Sequence, residues 1–287
     1  MKRINLLLLL LIGTLTVKAQ DELLDILNST APKDEGYASA TFKSTRLING
    51  HSIETRTKQV LEFVIGHRFG RLNSGVDELF GLDNASIRFA LEYGITNNLN
   101  VGVGRSSFNK VYDGFAKYKV LRQSNKTPIT LTALATATSQ TIDFPDNGAD
   151  FEAKHRWVYT YQVLMARKFN SSFSLQLMPT YMHRNLVPTE EDANDLLALG
   201  VGGRLKLNQR LAINAEYYHQ LSDKSEQFTN AIAIGFDIET GGHVFQLHMT
   251  NAQQMNERFI GETNGDFFSG DIHFGFNVSR VFNIGKH

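Results

Sequence analysis

The chain has 287 residues, 29 Lys+Arg against 29 Asp+Glu, a formal net charge of +0, 42% hydrophobic residues and no cysteine. Balanced charge is no nucleic-acid signature, and a chain without cysteine has neither disulfides nor a cysteine to carry a lipid anchor. Beyond the N-terminal run, no stretch reaches the roughly 18 consecutive apolar residues of a membrane-spanning helix.

Lys2 and Arg3 precede an apolar run from Leu6 to Ile12, extended through Leu15 to Val17 and closed by Val17-Lys18-Ala19. A charged start, a short apolar middle and a small-residue end predict a secretory signal peptide over residues 1–19, cut after Ala19. From Asp21 to Gly36 the apolar residues Leu23, Leu24, Ile26 and Leu27 suit a short amphipathic helix, followed by a linker at Pro32-Lys33-Asp34-Glu35-Gly36. Tyr37 to Gly50 alternates weakly and carries a turn signal at Asn49-Gly50. Residues 20–56 are therefore expected to form a periplasmic or lumenal segment, available as a plug, rather than a stave of the domain that follows.

From Gln59 onward, apolar residues recur at period two, the period of a strand with two unlike faces. Leu61, Phe63, Ile65 and Phe69 oppose Glu62 and Arg68; Ile87, Phe89, Leu91 and Tyr93 oppose Arg88 and Glu92. Tyr112, Ala116 and Tyr118 oppose Asp113, Lys117 and Lys119. Leu205 and Leu207 oppose Arg204 and Lys206, and Ile213 and Tyr217 oppose Asn214 and Glu216. The pattern persists to the end, where Phe274, Phe276, Val278 and Phe282 alternate with Gly275, Asn277 and Ser279. Counting these runs gives about 12 strands, an even number, with connections that alternate between short turns and longer loops except at Ser106 to Lys110. The predicted fold is all-β: a transmembrane up-and-down antiparallel β-barrel over residues 57–287, with short periplasmic turns and longer outer loops, seated in the cell outer membrane. A soluble β-sandwich or two-sheet lipid carrier, exported by the same kind of signal, would share the alternation but not the loop asymmetry or terminal strand. That last strand, ending in an aromatic, resembles the assembly signal of outer-membrane barrels, which implies the barrel-assembly machinery as a partner beside the lipid bilayer.

In a barrel the apolar faces meet lipid and the polar faces enclose the lumen. Arg68, Arg88, Glu92, Arg105, Asp113, Lys117 and Lys119 are the candidate lumen and selectivity residues. A path lined by such charges would be biased toward anions. Alternatively, acids and bases pair across the wall and close the lumen. Nine histidines are scattered without the short spacing of a metal motif, and no cofactor or metal site is expected. Ser106 or Ser107 with His67 or His155 would be the material for a lipid hydrolase, but Gly104-Arg105-Ser106-Ser107 is no nucleophile elbow, and no enzyme is expected. Tyr93, Trp157, Tyr159, Phe169, Phe173, Tyr181, Tyr217 and Phe282 fit interfacial aromatic girdles.

The words His67-Arg68-Phe69-Gly70, Leu79-Phe80-Gly81-Leu82-Asp83, Glu92-Tyr93-Gly94, Gly104-Arg105-Ser106-Ser107 and Tyr112-Asp113-Gly114-Phe115 with Lys117-Tyr118-Lys119 resemble a Bacteroidota family of outer-membrane β-barrels of unknown function. The resemblance implies a barrel in the outer membrane and brings no substrate, cofactor or catalytic residue. The expected role is a channel or transporter for a small solute. A closed structural or partner-docking barrel is the first alternative, and a lipid-modifying enzyme the second.

Overall fold

The computed structural model describes residues 36–144, 151–222 and 225–285. The expected signal peptide and most of the expected amphipathic stretch lie outside the described residues. The alternating runs form twelve strands: β1 (Val60–Arg71), β2 (Ala85–Gly94), β3 (Leu99–Ser106), β4 (Val111–Leu121), β5 (Thr130–Gln140), β6 (Trp157–Lys168), β7 (Phe173–Arg184), β8 (Asp195–Lys206), β9 (Leu211–Gln220), β10 (Ala231–Thr240), β11 (His243–Thr250) and β12 (His273–Asn283). Each pairs antiparallel with its neighbours in sequence, and β1 closes on β12 with Leu61 opposite Phe282 and Ile65 opposite Val278. Closure leaves no unpaired strand edge, as a strand structure in lipid requires.

One end of the barrel carries the tight connections 95–98, 169–172, 207–210 and 241–242, with the somewhat longer 122–129. The other end carries 72–84, 141–156, 185–194, 221–230 and 251–272. The exception expected between Ser106 and Lys110 is real: 107–110 is a single tight turn in which Asn109 and Lys110 take φ of 53° and 47°. Aromatic rings mark both rims. Trp157 stacks on Tyr159 and Tyr161 on Tyr181 toward the long-loop end, while Phe169 stacks on Phe173 at the short-turn end. The outer wall between them is apolar, and its grooves belong to that surface. One of these, about 610 Å³ around Tyr118, Tyr161, Val163 and Tyr181, lies where acyl chains would fill it.

The inner face is not uniformly polar. The side formed by β1–β4, β11 and β12 carries most of the charges. The side formed by β5–β9 turns Leu134, Leu164, Met178, Met182, Leu196 and Tyr218 inward, all buried. A barrel lumen can hold a hydrophobic cluster only if something apolar fills it, and here polypeptide does. Val163, near the middle of β6, faces outward and is 41% exposed. Val163→Arg is expected to cost about 2–4 kcal/mol, the penalty of a cation at bilayer mid-depth. The check is urea unfolding of the chain refolded into bilayers; an unchanged transition would mean that this face meets water.

Candidate functional site: an occluded lumen

Two segments that are not strands fill the barrel. From the short-turn end come residues 38–59, of which Thr41–Ser52 are almost entirely buried. Their core is a hairpin in which Arg46 bridges His51, Leu47 N–H donates to Gly50 O (2.8 Å) and Ser52 N–H donates to Thr45 O (2.9 Å). Asn49-Gly50 forms the tip. Glycine is required at 50 by close approach: a Cβ there would strike the Tyr218 hydroxyl. This short hairpin has no strand neighbours, so its backbone groups need partners from elsewhere. Wall side chains supply them. The Glu216 carboxylate accepts from Asn49 N–H (2.7 Å) and Gly50 N–H (3.2 Å). Asn277 donates to Ile48 O (2.9 Å) and Gln246 to Leu47 O (2.8 Å). Gln176 accepts from Ile53 N–H (2.8 Å) and donates to His51 O (2.8 Å). Lys117 Nζ donates to Thr45 O and Ser52 O, both at 3.3 Å. Behind the hairpin, Arg56 forms a two-pronged pair with Glu62 (2.7 and 2.6 Å).

From the long-loop end the β11–β12 connection folds inward. Ala252, Met255, Asn256, Glu257, Phe259 and Ile260 are buried, and Phe259–Glu262 forms a single helical turn, α1. Gln220 donates to Ile260 O (3.0 Å), Arg184 to Gly261 O (3.2 Å), and Arg258 to Thr138 Oγ1 (3.1 Å) and Arg156 O (2.8 Å). Phe259 meets the Tyr218 ring edge-on at 5.0 Å. With Leu47 and Ile53 of the hairpin it completes the apolar cluster against β5–β9.

The two inserts join at one carboxylate. Glu257 Oε1 lies 2.8 Å from Arg46 Nη1 and 3.3 Å from His51 Nε2, with all three side chains buried. Between inserts and wall the enclosed space is small. One cavity of about 20 Å³ lies among Arg46, Asn49, Arg68, Arg88, Met255 and Asn277. A larger recess of about 250 Å³, lined by Glu54, Asn97, Lys119 and Arg122 among others, opens at the short-turn end.

A family described as a membrane bound beta barrel domain (DUF5777) matches residues 42–282. The chain belongs to this family. A membrane-bound, even-stranded, single-chain barrel is the architecture of bacterial outer membranes, and this barrel sits there, its apolar wall in the lipid. No curated protein matches. Among solved structures the chain is similar to the NanC porin (10% identity, TM-score 0.48, covering 77% of this chain and 98% of that one). It is similar also to the KdgM porin (8%, 0.45, 79% and 99%) and to the outer-membrane protein Omp33 of Acinetobacter baumannii (10%, 0.42, 79% and 100%).

Of the charges singled out in the sequence, Arg68, Arg88, Glu92, Asp113 and Lys117 all face inward and are buried. Lys119 faces inward, half-buried, 3.8 Å from Glu54. Arg105 does not belong with them. It shares the outward face of Val101 and Val103 at the long-loop end of β3, with its guanidinium over the Tyr112 ring at 5.4 Å. An arginine there reaches back to the headgroups while its stem lies on apolar surface. Within the lumen Arg88 pairs with Asp113 (2.9 and 2.5 Å). The other wall charges are taken up mainly by the inserts. Neither serine considered as a nucleophile is bonded to a histidine: Ser107 Oγ accepts from Ile87 N–H, Ser106 Oγ from Phe108 N–H, and His67 lies on the outer wall stacked on Phe276. The sequence places Arg46 and His51 in the segment available as a plug, but singles out neither of them, nor Glu257, as a functional residue. The available signal was Met255, Phe259 and Ile260, a group of apolar residues in the first half of a long loop that carries Phe267 and Phe268 in its second half.

Burial, reinforced by the Arg46 guanidinium, pulls His51 down from the usual 6.5 to about 4, leaving it neutral at neutral pH. Burial opposes ionisation of Glu257, but Arg46 and His51 outweigh it and hold that carboxyl well below its ordinary range. Both groups bind a proton more readily when the inserts are unseated, so seating is favoured above about 6.5 and weakens as pH falls toward 4. Hydrogen exchange of residues 41–53, corrected for intrinsic rates, is expected to quicken over that window; a flat profile would contradict the assignment. Glu257→Gln removes the close charge partner of buried Arg46 and leaves it only the 4.0 Å contact with Glu92, a loss of up to about 3–5 kcal/mol in seating. It should expose the same residues at neutral pH, read as proteolysis of the hairpin in intact barrels.

Proposed function

We propose that this outer-membrane barrel is a gated channel for a small solute and that the structure is its closed state. The observation that carries this reading is the identity of what blocks the bore. The wall does not collapse on itself. Two tethered segments fill it, held largely by side-chain hydrogen bonds to their backbone. Water can replace such bonds on withdrawal at modest net cost, about 0.5–1.5 kcal/mol each, so the obstruction is removable in a way a collapsed wall is not. The recess around Glu54 and Lys119 forms the mouth on the short-turn side.

Withdrawal would uncover Arg68, Arg88, Lys117, Lys119, Arg184 and Arg204 together with Glu62, Glu92, Asp113, Glu216 and Asp237. That near balance supports only a weak preference for anions. The C-terminal strand, with Phe274, Phe276, Val278 and Phe282 outward, suits recognition by the barrel-assembly machinery, and the sequence words around Arg68 and Lys117 support a place among the Bacteroidota barrels they resemble. The chemistry proposed is passage, not catalysis.

A permanently closed, partner-docking barrel is the second reading, favoured by the apolar cluster that Leu47, Ile53, Phe259 and Ile260 make with the wall. Planar-bilayer recording separates the two. Wild type is expected to be mostly silent with rare openings, and Glu257→Gln to open far more often. Silence of both, with the variant's hairpin accessible to protease, would leave the structural reading standing.

A further inference from the structure

The lumen buries a cation without an ionic partner. Arg68 is 1% exposed, yet among the described residues no carboxylate lies within ion-pair distance of its guanidinium. Its bonds go to neutral acceptors: Nη2 donates to Asn49 Oδ1, and Nη1 meets His67 O (3.3 Å) and the His248 ring. Nε has no partner. Glu216, on β9 with three strands between it and β1, is committed to the backbone of the hairpin tip. Arginine does not shed its proton in a protein, so burying it cannot be relieved by neutralisation. An uncompensated buried cation is strongly disfavoured unless a counter-charge reaches it.

Arg68 does not stand alone. It lines the cavity of about 20 Å³ together with Arg46 and Arg88. Arg46 spends Nη1 on Glu257 and Asn49 O, while its Nε and Nη2 have no hydrogen-bond partner; Glu92 faces that Nε as a long ion pair at 4.0 Å. Arg88 is satisfied by Asp113 on one edge. Asn49 and Asn277 are the remaining polar residues of the lining. The wall is cut away to admit the guanidinium groups. A Cβ at Gly275 would strike Arg68 and His248, and one at Gly104 would strike Arg88.

We propose that this cavity is a binding site for a single-atom anion, of which chloride is the physiological representative, held between the hairpin and the β1–β2–β12 wall. The volume admits one water-sized occupant. A carboxylate, phosphate or sulfate is too large. Water would satisfy a donor but leave the charge of Arg68 uncompensated, whereas a halide does both. Because Arg46 and Asn49 belong to the hairpin and Arg68 and Arg88 to the wall, the anion pins the insert to the barrel. The site does not depend on conduction: a barrel that never opens would hold the same ion, and an empty cavity would leave gating untouched.

The test uses the refolded full chain crystallised in bromide, with anomalous diffraction. A bromide peak inside the cavity bounded by Arg46, Arg68 and Arg88 is expected. Peaks on the surface only, or a water alone in the cavity, overturn the proposal. In solution, bromide exchanged for gluconate at constant ionic strength should slow hydrogen exchange of residues 41–53 in a saturable manner. Arg68→Gln should weaken the apparent halide affinity by on the order of tenfold, the loss of a charged hydrogen bond. Should that variant not fold, wild type alone decides: exchange indifferent to bromide overturns the site.

Discussion

A closed wall of twelve strands encloses more space than its own side chains fill. Eight-stranded barrels can fill theirs with inward residues, and sixteen-stranded ones leave an aqueous channel. This molecule lies between, and its interior organisation follows from that gap. The inner face of β8–β10 is lined with Ala198, Gly200, Gly202, Ala212, Ala231 and Ala233, residues too small to meet across the bore. The volume they leave is taken by the hairpin around Asn49-Gly50 and the turn around Phe259. A Cβ on Gly202 would already collide with Leu47.

Filling a lumen with irregular backbone creates a second requirement, because each buried N–H and C=O must be bonded. Strand pairing cannot do this for a lone hairpin, so the wall answers with long polar side chains: Glu216, Gln176, Gln246, Asn277 and Lys117. These account for much of the polarity that looks, in the sequence, like the lining of a water-filled pore. The interior divides accordingly. Toward β5–β9 the inserts dock through an apolar cluster that favours closure. Toward β1–β4, β11 and β12 they dock through charge. There the Arg46–Glu257–His51 junction makes the seating of each insert depend on the other.

The wall was legible in the sequence because lipid and lumen impose a strict two-residue period, and closure then dictates the pairing of neighbours. That is why all twelve runs, the alternation of loop lengths and even the short exception at Ser107–Lys110 are written in the order of the residues. Of what fills the wall, only the availability of residues 20–56 as a plug was legible; the inward fold of the β11–β12 connection and the side chains that seat both inserts obey no period. Arg46, His51 and Glu257 are 211 residues apart at the extremes and meet only after the barrel closes. Arg105 was misplaced for a related reason. Charge on a strand suggests the wet face, yet at the rim an arginine can follow the lipid-facing parity and reach water past Tyr112. Leu134, Leu164, Met178 and Met182 turn inward beside outward residues that are mostly apolar too, so the sequence offers little contrast by which to assign them a face.

Occlusion of the bore requires residues 41–53 to lie inside the barrel with the lumen closed around them. The chain has no cysteine, so single cysteines report accessibility without background. Ser52, fully buried, and Ser39, exposed just outside, bracket the hairpin's approach. Maleimide labelling of Ser52→Cys and Ser39→Cys in folded barrels at neutral pH measures the claim directly. Ser39→Cys should react at once, and Ser52→Cys should resist until the barrel is unfolded. Equal rates at the two positions in folded barrels would mean that the hairpin does not occupy the lumen.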